Sequence, residues 1–356
     1  MDIEIVRFSD ELLPALVAFS EVTWVRPRTR SFYDWRYRAC DGFHRAFMAM
    51  RGSECMATVS AFCKPYIVGG RRVSCLEVFD WFCRPGTKGG GIGGKVMRAM
   101  MEEPEPIVAF GGTQDTLARL PHMEWKRIGE AIGYDLPLGR EVFAKSAARR
   151  LRIPMGIGKA TVGRLAARWY KPKTSSKFKG ISAVPVGSLG EEVLSLYAGS
   201  MDYRILQVPD LRFARWLTSG YSGLGHFVPL YFTDGERLRG WSLSRLHRSP
   251  SGLEGQLVDI FWPGATADIY AFMVAESVSC LMSFRPQRVA TTAADPALQA
   301  ALGRNRFRVT RRYPIHFWGK GWEDGTGGLE MNHNYADWPI MPYPAPGTGM
   351  DFLMEA

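Results

Sequence analysis

The stretch from Cys83 to Lys95 constrains the fold of this chain most, because six of its thirteen residues are glycines. It follows an apolar, strand-like segment and leads into a helix predicted to begin near Gly93. Glycines allow several backbone N–H groups to point into one concavity, and a helix N-terminus adds partial positive charge. The pattern therefore predicts a strand, a loop that can bind a pyrophosphate group, and a helix.

The segments around this loop narrow the fold class. Three alternating segments precede it, separated by turns at residues 51–53 and 69–70, and they predict a meander of antiparallel strands. A meander is not the βαβ unit of dinucleotide-binding folds, and the loop has no GK[ST] sequence of a P-loop. A strand over Ile107–Phe110 follows the helix, so an α/β (α+β) domain is expected.

The second half of the chain repeats this order of elements. Trp35 and Asp80 lie 45 residues apart, and their counterparts Trp216 and Asp259 lie 43 apart. Matching order and spacing predict a duplicated domain, each copy a mostly antiparallel central sheet flanked by helices. The expected division is a first unit over 1–145, a basic linker over 146–180, a second unit over 181–320 and an irregular tail over 321–356.

The loop resembles the acetyl-CoA loop of the GNAT superfamily, whose pattern is a strand, a proline and then (Arg/Gln)-x-x-Gly-x-(Gly/Ala). Lys88, Gly91 and Gly93 occupy the three defined places, and Pro85 stands where the family often has proline. Lys88 replaces the usual Arg or Gln. The resemblance covers residues 1–145. Within the superfamily, the chain resembles the tandem GNAT proteins of bacterial polysaccharide and natural-product clusters. The second copy reads PGATA over residues 263–267, so it lacks the CoA loop.

This resemblance implies acetyl-CoA, or another acyl-CoA, as co-substrate. The strand backbone would pair with pantetheine and the loop would hold the pyrophosphate. The residues implied in donor binding are Phe82, Cys83, Lys88, Gly89, Gly90, Gly91, Ile92, Gly93 and Gly94.

An amine would then attack the thioester with the help of a general base and a proton donor. Glu77 is the favoured base, since its counterpart is Gln256, whereas Asp80 is matched by Asp259 in a copy without the loop. Asp80 remains an alternative, as does a structural role for both carboxylates. The usual tyrosine donor is missing, which leaves His122, the more distant Tyr134 or water.

The net charge of +10 is concentrated in one segment. Residues 145–179 carry eleven Lys or Arg and no Asp or Glu, which leaves 34 basic and 35 acidic residues elsewhere. A linker packed across the two units is the favoured reading, followed by contact with an anionic surface, and nucleic acid is not expected.

The composition also bounds the location and the cofactors of the protein. Six scattered cysteines without a CxxC pair indicate reduced thiols, and the six histidines show no metal-binding spacing. The N-terminus lacks the basic start and apolar stretch of a secretion signal, so a cytoplasmic protein without a metal is expected.

Three functions fit these observations. The first is an acyl-CoA-dependent N-acyltransferase, an acetyltransferase acting on a small amine such as an amino sugar. The second is a non-catalytic CoA-binding sensor or scaffold, favoured by the missing tyrosine. The third is a FemX-like transferase that uses aminoacyl-tRNA, which the basic segment favours and the CoA loop disfavours.

Overall fold

A computed structural model describes residues 2–24, 28–38, 43–87, 90–138, 178–200, 203–219, 224–249, 252–320, 322 and 329–331. The predicted linker and tail fall almost entirely outside these residues. The division of the chain into two units with the stated boundaries stays a prediction.

The first half contains six strands and four α-helices among its described residues. The strands are β1 (Glu4–Arg7), β2 (His44–Arg51), β3 (Glu54–Val68), β4 (Arg71–Cys83), β5 (Ile107–Phe110) and β6 (Lys126–Pro137). The helices are α1 (Leu13–Thr23), α2 (Arg30–Tyr33), α3 (Ile92–Met101) and α4 (Gln114–Arg119). A π-helical turn over Asp34–Arg38 extends α2, and 3-10 turns cover Asp10–Leu12 and Leu120–Met123. The glycine-rich loop joins β4 to α3, as predicted.

The second half repeats this order. Its strands are β7 (Ile181–Pro185), β8 (Ile205–Gln207), β9 (His226–Asp234), β10 (Arg237–Ser249), β11 (Gly252–Phe261), β12 (Arg288–Ala293), β13 (Arg308–Trp318) and β14 (Leu329–Glu330). Its helices are α5 (Glu192–Ser195), α6 (Leu211–Ser219), α7 (Ala267–Met282) and α8 (Pro296–Arg304). The hairpins β9–β10–β11, then α7, β12, α8 and β13, correspond to β2–β3–β4, α3, β5, α4 and β6. The predicted tandem α/β architecture is confirmed.

All fourteen described strands belong to one sheet, and the two halves exchange strands within it. The main order is β1-β2-β3-β4-β5-β13-β6-β12-β11-β10-β9-β7. Strand β13 of the second half pairs with β5, and β6 of the first half pairs with β12. Each half therefore completes its sheet with a strand of the other half, which anchors both halves in one structure.

A tryptophan pair marks the relation between the two copies. The rings of Trp35 and Trp216 stack with centroids 4.4 Å apart and an angle of 6° between their planes. Each indole N–H donates to the backbone carbonyl of the other residue, at 3.5 Å from Trp35 and 3.1 Å from Trp216. Equivalent residues that make the same contact with one another are typical of a two-fold relation.

The two faces of β4 meet different layers. Leu76 and Val78 face α3, whose buried side is formed by Val96, Met97 and Met100. Phe79 faces the opposite layer, where α1, α2 and residues of the second half share one apolar cluster. Within the described residues, no helix is both long and apolar enough to cross a bilayer.

Candidate active site

A cleft opens where β4 and β5 separate. Their parallel pairing ends at Val78 and Ala109, but β4 continues to Cys83. The cleft beyond this point has a volume of about 380 Å³. Its walls come from the end of β4 with the following turn, from the start of α3, from α4 and from the end of α1. The lining residues are Thr23, Trp81, Phe82, Cys83, Arg84, Pro85, Thr87, Gly91, Ile92, Gly93, Gly94, Thr113, Asp115, Thr116 and Arg119.

The N-terminus of α3 forms the floor of the cleft. Its N-cap, Gly91, has a φ of +70° and carries no side chain that could cap the helix. The first amides of a helix have no acceptor within the helix, and Ile92, Gly93 and Gly94 all line the cleft. These N–H groups, with the positive end of the helix dipole, make an anion-binding site at the predicted place.

Gly93 allows this helix end to lie directly against β4. A Cβ at this position would stand 2.8 Å from Cys83 Sγ, closer than side-chain contacts allow. The indole N–H of Trp81 donates to the carbonyl of Gly93 at 2.9 Å. Burial raises the pKa of the Cys83 thiol, so this thiol stays protonated near neutrality. The N-terminus of α3 therefore packs directly against β4, next to the part of β4 that is not paired with β5.

The backbone of β4 is bulged at the level of the cleft. Phe79 pairs with Ser60 and Phe82 with Thr58, so that Asp80 and Trp81 together oppose one residue of β3. Asp80 has a φ of +51°, which is uncommon for a residue other than glycine. A β-bulge redirects the side chains that follow it. Here it separates Phe79 and Asp80 from Trp81, which turns toward α3.

The Asp80 carboxylate lies in a buried ionic network beneath the bulge. It is paired with the Arg28 guanidinium, and Arg36 Nε lies 4.0 Å from the same oxygen. The hydroxyl of Tyr37 lies 3.5 Å from that oxygen as well. Burial, with the nearby Asp80 charge as a smaller cause, raises the pKa of Tyr37 well above its ordinary value. Asp80 does not line the cleft, although its backbone shapes it.

Glu77 lies deeper, within the part of β4 that is still paired with β5. Its Oε2 accepts hydrogen bonds from Tyr66 at 2.9 Å and from Gln207 of the second half at 3.1 Å. Lys64 Nζ lies 2.6 Å from the same atom. The side chain is fully buried and does not line the cleft. Its role as a base stays a prediction, and its observed contacts tie β3 and β4 to β8.

The remaining predicted residues divide into three groups. Gly91, Ile92, Gly93 and Gly94 line the cleft together with Phe82 and Cys83, whereas Gly90 is described but does not line it. Lys88 and Gly89 lie outside the described residues. His122 is exposed on the 3-10 turn after α4 and does not line the cleft, and Tyr134 is buried in β6 beside Thr291 of β12.

The corresponding place in the second half is closed by its own side chains. Thr266 is the N-cap of α7, and its hydroxyl accepts from the amide of Ile269 at 3.5 Å. Asp268 in the first turn is paired with Arg304 of α8. A capped helix end with a carboxylate beside it is unfavourable for a phosphate. This agrees with the loss of the glycine loop in that copy.

Several residues of the cleft had no signal in the sequence. Thr23 is the last residue of α1, and Thr113, Thr116 and Arg119 belong to the turn and helix after β5. They meet the loop only because β5 ends early and the chain turns back over the cleft at Gly111 and Gly112, both with positive φ. The paired glycines in the sequence were the available hint of that turn.

No family model matches this chain, and no curated protein is significantly similar to it in sequence. Solved structures are similar in fold. A GCN5-related N-acetyltransferase from Anabaena variabilis matches with a TM-score of 0.60 and 12% identity, over 89% of this chain and 72% of its own. N-myristoyltransferase of Saccharomyces cerevisiae with bound myristoyl-CoA matches with a TM-score of 0.60 and 10% identity, over 92% of this chain and 89% of the yeast chain. A tandem GNAT protein from the clavulanic acid biosynthesis pathway matches with a TM-score of 0.53 and 14% identity, over 89% of this chain and 98% of that protein.

Identities this low establish the fold and not the reaction. The chain has the fold of the GNAT acetyltransferases, in tandem, as the loop and the repeat predicted.

Proposed function

We propose that this protein transfers an acyl group from acyl-CoA to the nitrogen of a small amine. The observation that carries the proposal is the N-terminus of α3, uncapped behind Gly91 and opening into the cleft beside the free edge of β4. Helix amides bind the pyrophosphate of CoA, and the unpaired backbone of β4 accepts the amides of pantetheine as an added strand. The neighbours named above include acyltransferases of this fold.

The proposed reaction is direct. The amine nitrogen attacks the thioester carbonyl carbon, the carbon–sulfur bond breaks, and the thiolate leaves as free CoA after it takes up a proton. The ammonium proton passes to a base, for which Glu77 and Asp80 remain the candidates on β4. Holding donor and acceptor together in one cleft supplies much of the rate enhancement, because it makes the encounter intramolecular.

Binding of the donor is tested first, by titration calorimetry with acetyl-CoA. Gly94→Glu is the informative variant, because a Cβ at Gly94 meets open space and the new carboxylate would face the phosphates. Like charges about 4 Å apart near a protein surface cost ~1–4 kcal/mol, so we expect the affinity to fall by at least about fivefold.

The matched control is Gly303→Glu in α8. It also places a glutamate on a helix where a Cβ meets open space, but at a residue that does not line the cleft. We expect it to bind acetyl-CoA as the unaltered protein does. If Gly94→Glu binds acetyl-CoA with unchanged affinity, the donor does not sit on the N-terminus of α3.

The acceptor we propose is a small amine such as an amino sugar, with acetyl as the acyl group. The likeness to a tandem GNAT protein of a small-molecule biosynthetic pathway supports this choice. Release of the CoA thiol in the presence of amino sugars, amino acids and polyamines tests it, because only a productive acceptor accelerates the release.

One observation favours a second candidate, a CoA-binding sensor without catalysis. Glu77 and Asp80 are both occupied by buried cationic partners, and His122 is exposed away from the cleft. A sensor would bind acetyl-CoA with the same dependence on Gly94 but would release no thiol with any acceptor. If the protein does release thiol, an unchanged turnover rate in the Glu77→Gln variant excludes Glu77 as the general base.

A further inference from the structure

One wall of the cleft is aromatic and is formed by Phe82 of β4 beside Thr23 of α1. The residues of β4 that line the cleft are Trp81, Phe82 and Cys83. A donor held by its phosphates at α3 and paired by its pantetheine arm with this part of β4 runs beside Phe82, so its acyl group meets this wall.

Phe82 is held in place by a stack of side chains. The ring of Trp24 packs edge-on against Phe82, with centroids 4.0 Å apart. The guanidinium of Arg28 lies over the Trp24 ring, 4.2 Å from its centre. Because Arg28 is buried and paired with Asp80, the stack ends in a fixed ionic anchor. Aromatic pairs and cation–π contacts of this kind add to the burial energy, so movement of Phe82 is costly.

The wall also has a defined chemical character. Phe82 presents an apolar ring, and Thr23 Oγ1 is buried with no hydrogen-bond partner in the described part of the chain. A buried hydroxyl without a partner is unfavourable unless a ligand supplies one. The thioester carbonyl of an acyl-CoA is a suitable acceptor for Thr23 whatever the length of the chain, so the limit on chain length is assigned to Phe82 alone.

We propose that Phe82, braced by Trp24, limits the acyl group to a short chain such as acetyl or propionyl; this rests on the proposed function. The cleft of about 380 Å³ must also hold the pantetheine arm, and it lies at the small end of the ~300–1,000 Å³ range of ligand pockets. The fold itself does not set this limit, since the yeast enzyme of the same fold holds myristoyl-CoA. The limit is set by the aromatic wall.

The test compares acetyl-CoA, butyryl-CoA and octanoyl-CoA, with kcat/KM from thiol release and affinity from calorimetry. We expect the unaltered protein to prefer acetyl-CoA over octanoyl-CoA by at least about tenfold, since one ill-fitting methylene in a packed pocket costs ~10-fold or more. Phe82→Ala removes the aromatic ring, and we expect it to reduce the preference for acetyl-CoA over octanoyl-CoA by at least about tenfold. Trp24→Ala narrows it less, because Phe82 stays but loses its brace.

The matched control is Phe284→Ala, which removes a half-buried ring in the second half. It should leave the preference unchanged, so a change there would mean that any lost ring loosens selectivity and would overturn the proposal. Phe82→Leu, which keeps the site apolar, replaces Phe82→Ala if the alanine variant does not fold.

The outcomes separate this inference from the proposed function. Equal use of acetyl-CoA and octanoyl-CoA by the unaltered protein, or an unchanged preference in the Phe82 and Trp24 variants, overturns the inference alone. Failure of the unaltered protein to bind CoA or any acyl-CoA overturns both. The protein could also bind acetyl-CoA, reject octanoyl-CoA and release no thiol. The calorimetric affinities would then support the chain-length limit, and the proposed transfer reaction would be wrong.

Discussion

Asp80 combines a left-handed backbone, full burial and an ion pair, and each property makes a different demand on the residue. Its φ is +51°, and its exposed fraction is 2%. The pair with Arg28 lies entirely inside the protein, and Arg28 is itself only 7% exposed. Replacing Asp80 by asparagine keeps the size and the tolerance for positive φ, so it isolates the charge.

Asp80→Asn leaves the Arg28 and Arg36 guanidinium groups buried without their carboxylate. Removing one partner of a buried ion pair costs ~3–5 kcal/mol, because the remaining charge is desolvated and uncompensated. The asparagine oxygen still accepts one hydrogen bond, and Arg28 keeps its contacts with the rings of Trp24 and Phe32. We therefore expect a loss near the lower end, about 3 kcal/mol of the free energy of unfolding.

Urea unfolding followed by tryptophan fluorescence and by circular dichroism measures this loss. The control is Asp259→Asn, the equivalent position in the second half, where the side chain is partly exposed and accepts from the amide of Ile260. We expect a loss of about 1 kcal/mol there. In an Arg28→Met background, Asp80→Asn should cost at least ~1 kcal/mol less. Equal losses at Asp80 and Asp259, or no coupling to Arg28, would refute the ionic argument.

Three further outcomes follow from other contacts. Gly93→Ala should destabilise the protein by ~1–3 kcal/mol and weaken acetyl-CoA binding, because its Cβ would meet Cys83 Sγ at 2.8 Å; urea unfolding and calorimetry measure both. Trp216→Ala should cost ~3–5 kcal/mol in urea unfolding, since it removes the stack with Trp35 and the hydrogen bond that the Trp216 indole donates. Burial, and then the Arg36 charge, lower the pKa of His44 from 6.5 to about 3. Between pH 6.5 and pH 3 the His44 imidazole is protonated in the unfolded chain but not in the folded protein. The free energy of unfolding therefore falls as the pH drops below 6.5, by about 2 kcal/mol at pH 5.

Each of these outcomes has its own check. Cys83→Ala in the Gly93→Ala protein should recover much of the loss, and failure to do so would place the strain elsewhere. Trp216→Phe keeps a ring and should cost clearly less than Trp216→Ala. His44→Gln should flatten the fall in stability between pH 7 and pH 5, and an unchanged slope would mean that His44 is not the titrating group.

The loop and the repeat were predictable because both are local in sequence. A strand that ends in six glycines and leads into an apolar helix has few structural solutions, and the alternating meander before it excluded the other phosphate-binding loops. The pairing of Trp35 with Trp216 and of Asp80 with Asp259 also came from spacing alone. The stacked contact of the tryptophans agrees with that spacing, and both strands have a bulge at or next to the aspartate.

The exchange of β6 and β13 was not predictable from the sequence. Both are long strands that end a repeat, and either could pair with the sheet of its own half or of the other half. Strand pairing between distant segments is decided by tertiary packing, which leaves no local pattern. The burial of Glu77 escaped prediction for the same reason, since Gln207 reaches it from the other half of the chain.

The exchange gives a physical reason why one copy keeps the loop while the other has lost it. The cleft needs β5 to end early so that the edge of β4 stays open, and a short strand is held only by its neighbours. Strand β13 supplies that support: it pairs with β5 from Ile107 to Phe110, and Pro314 accepts the amide of Gly111 where the chain turns away. The second half therefore serves the cleft through strand β13, which needs no phosphate loop. Selection on donor binding would act on the first loop alone, and Thr266 and Asp268 could close the second helix end without affecting the cleft.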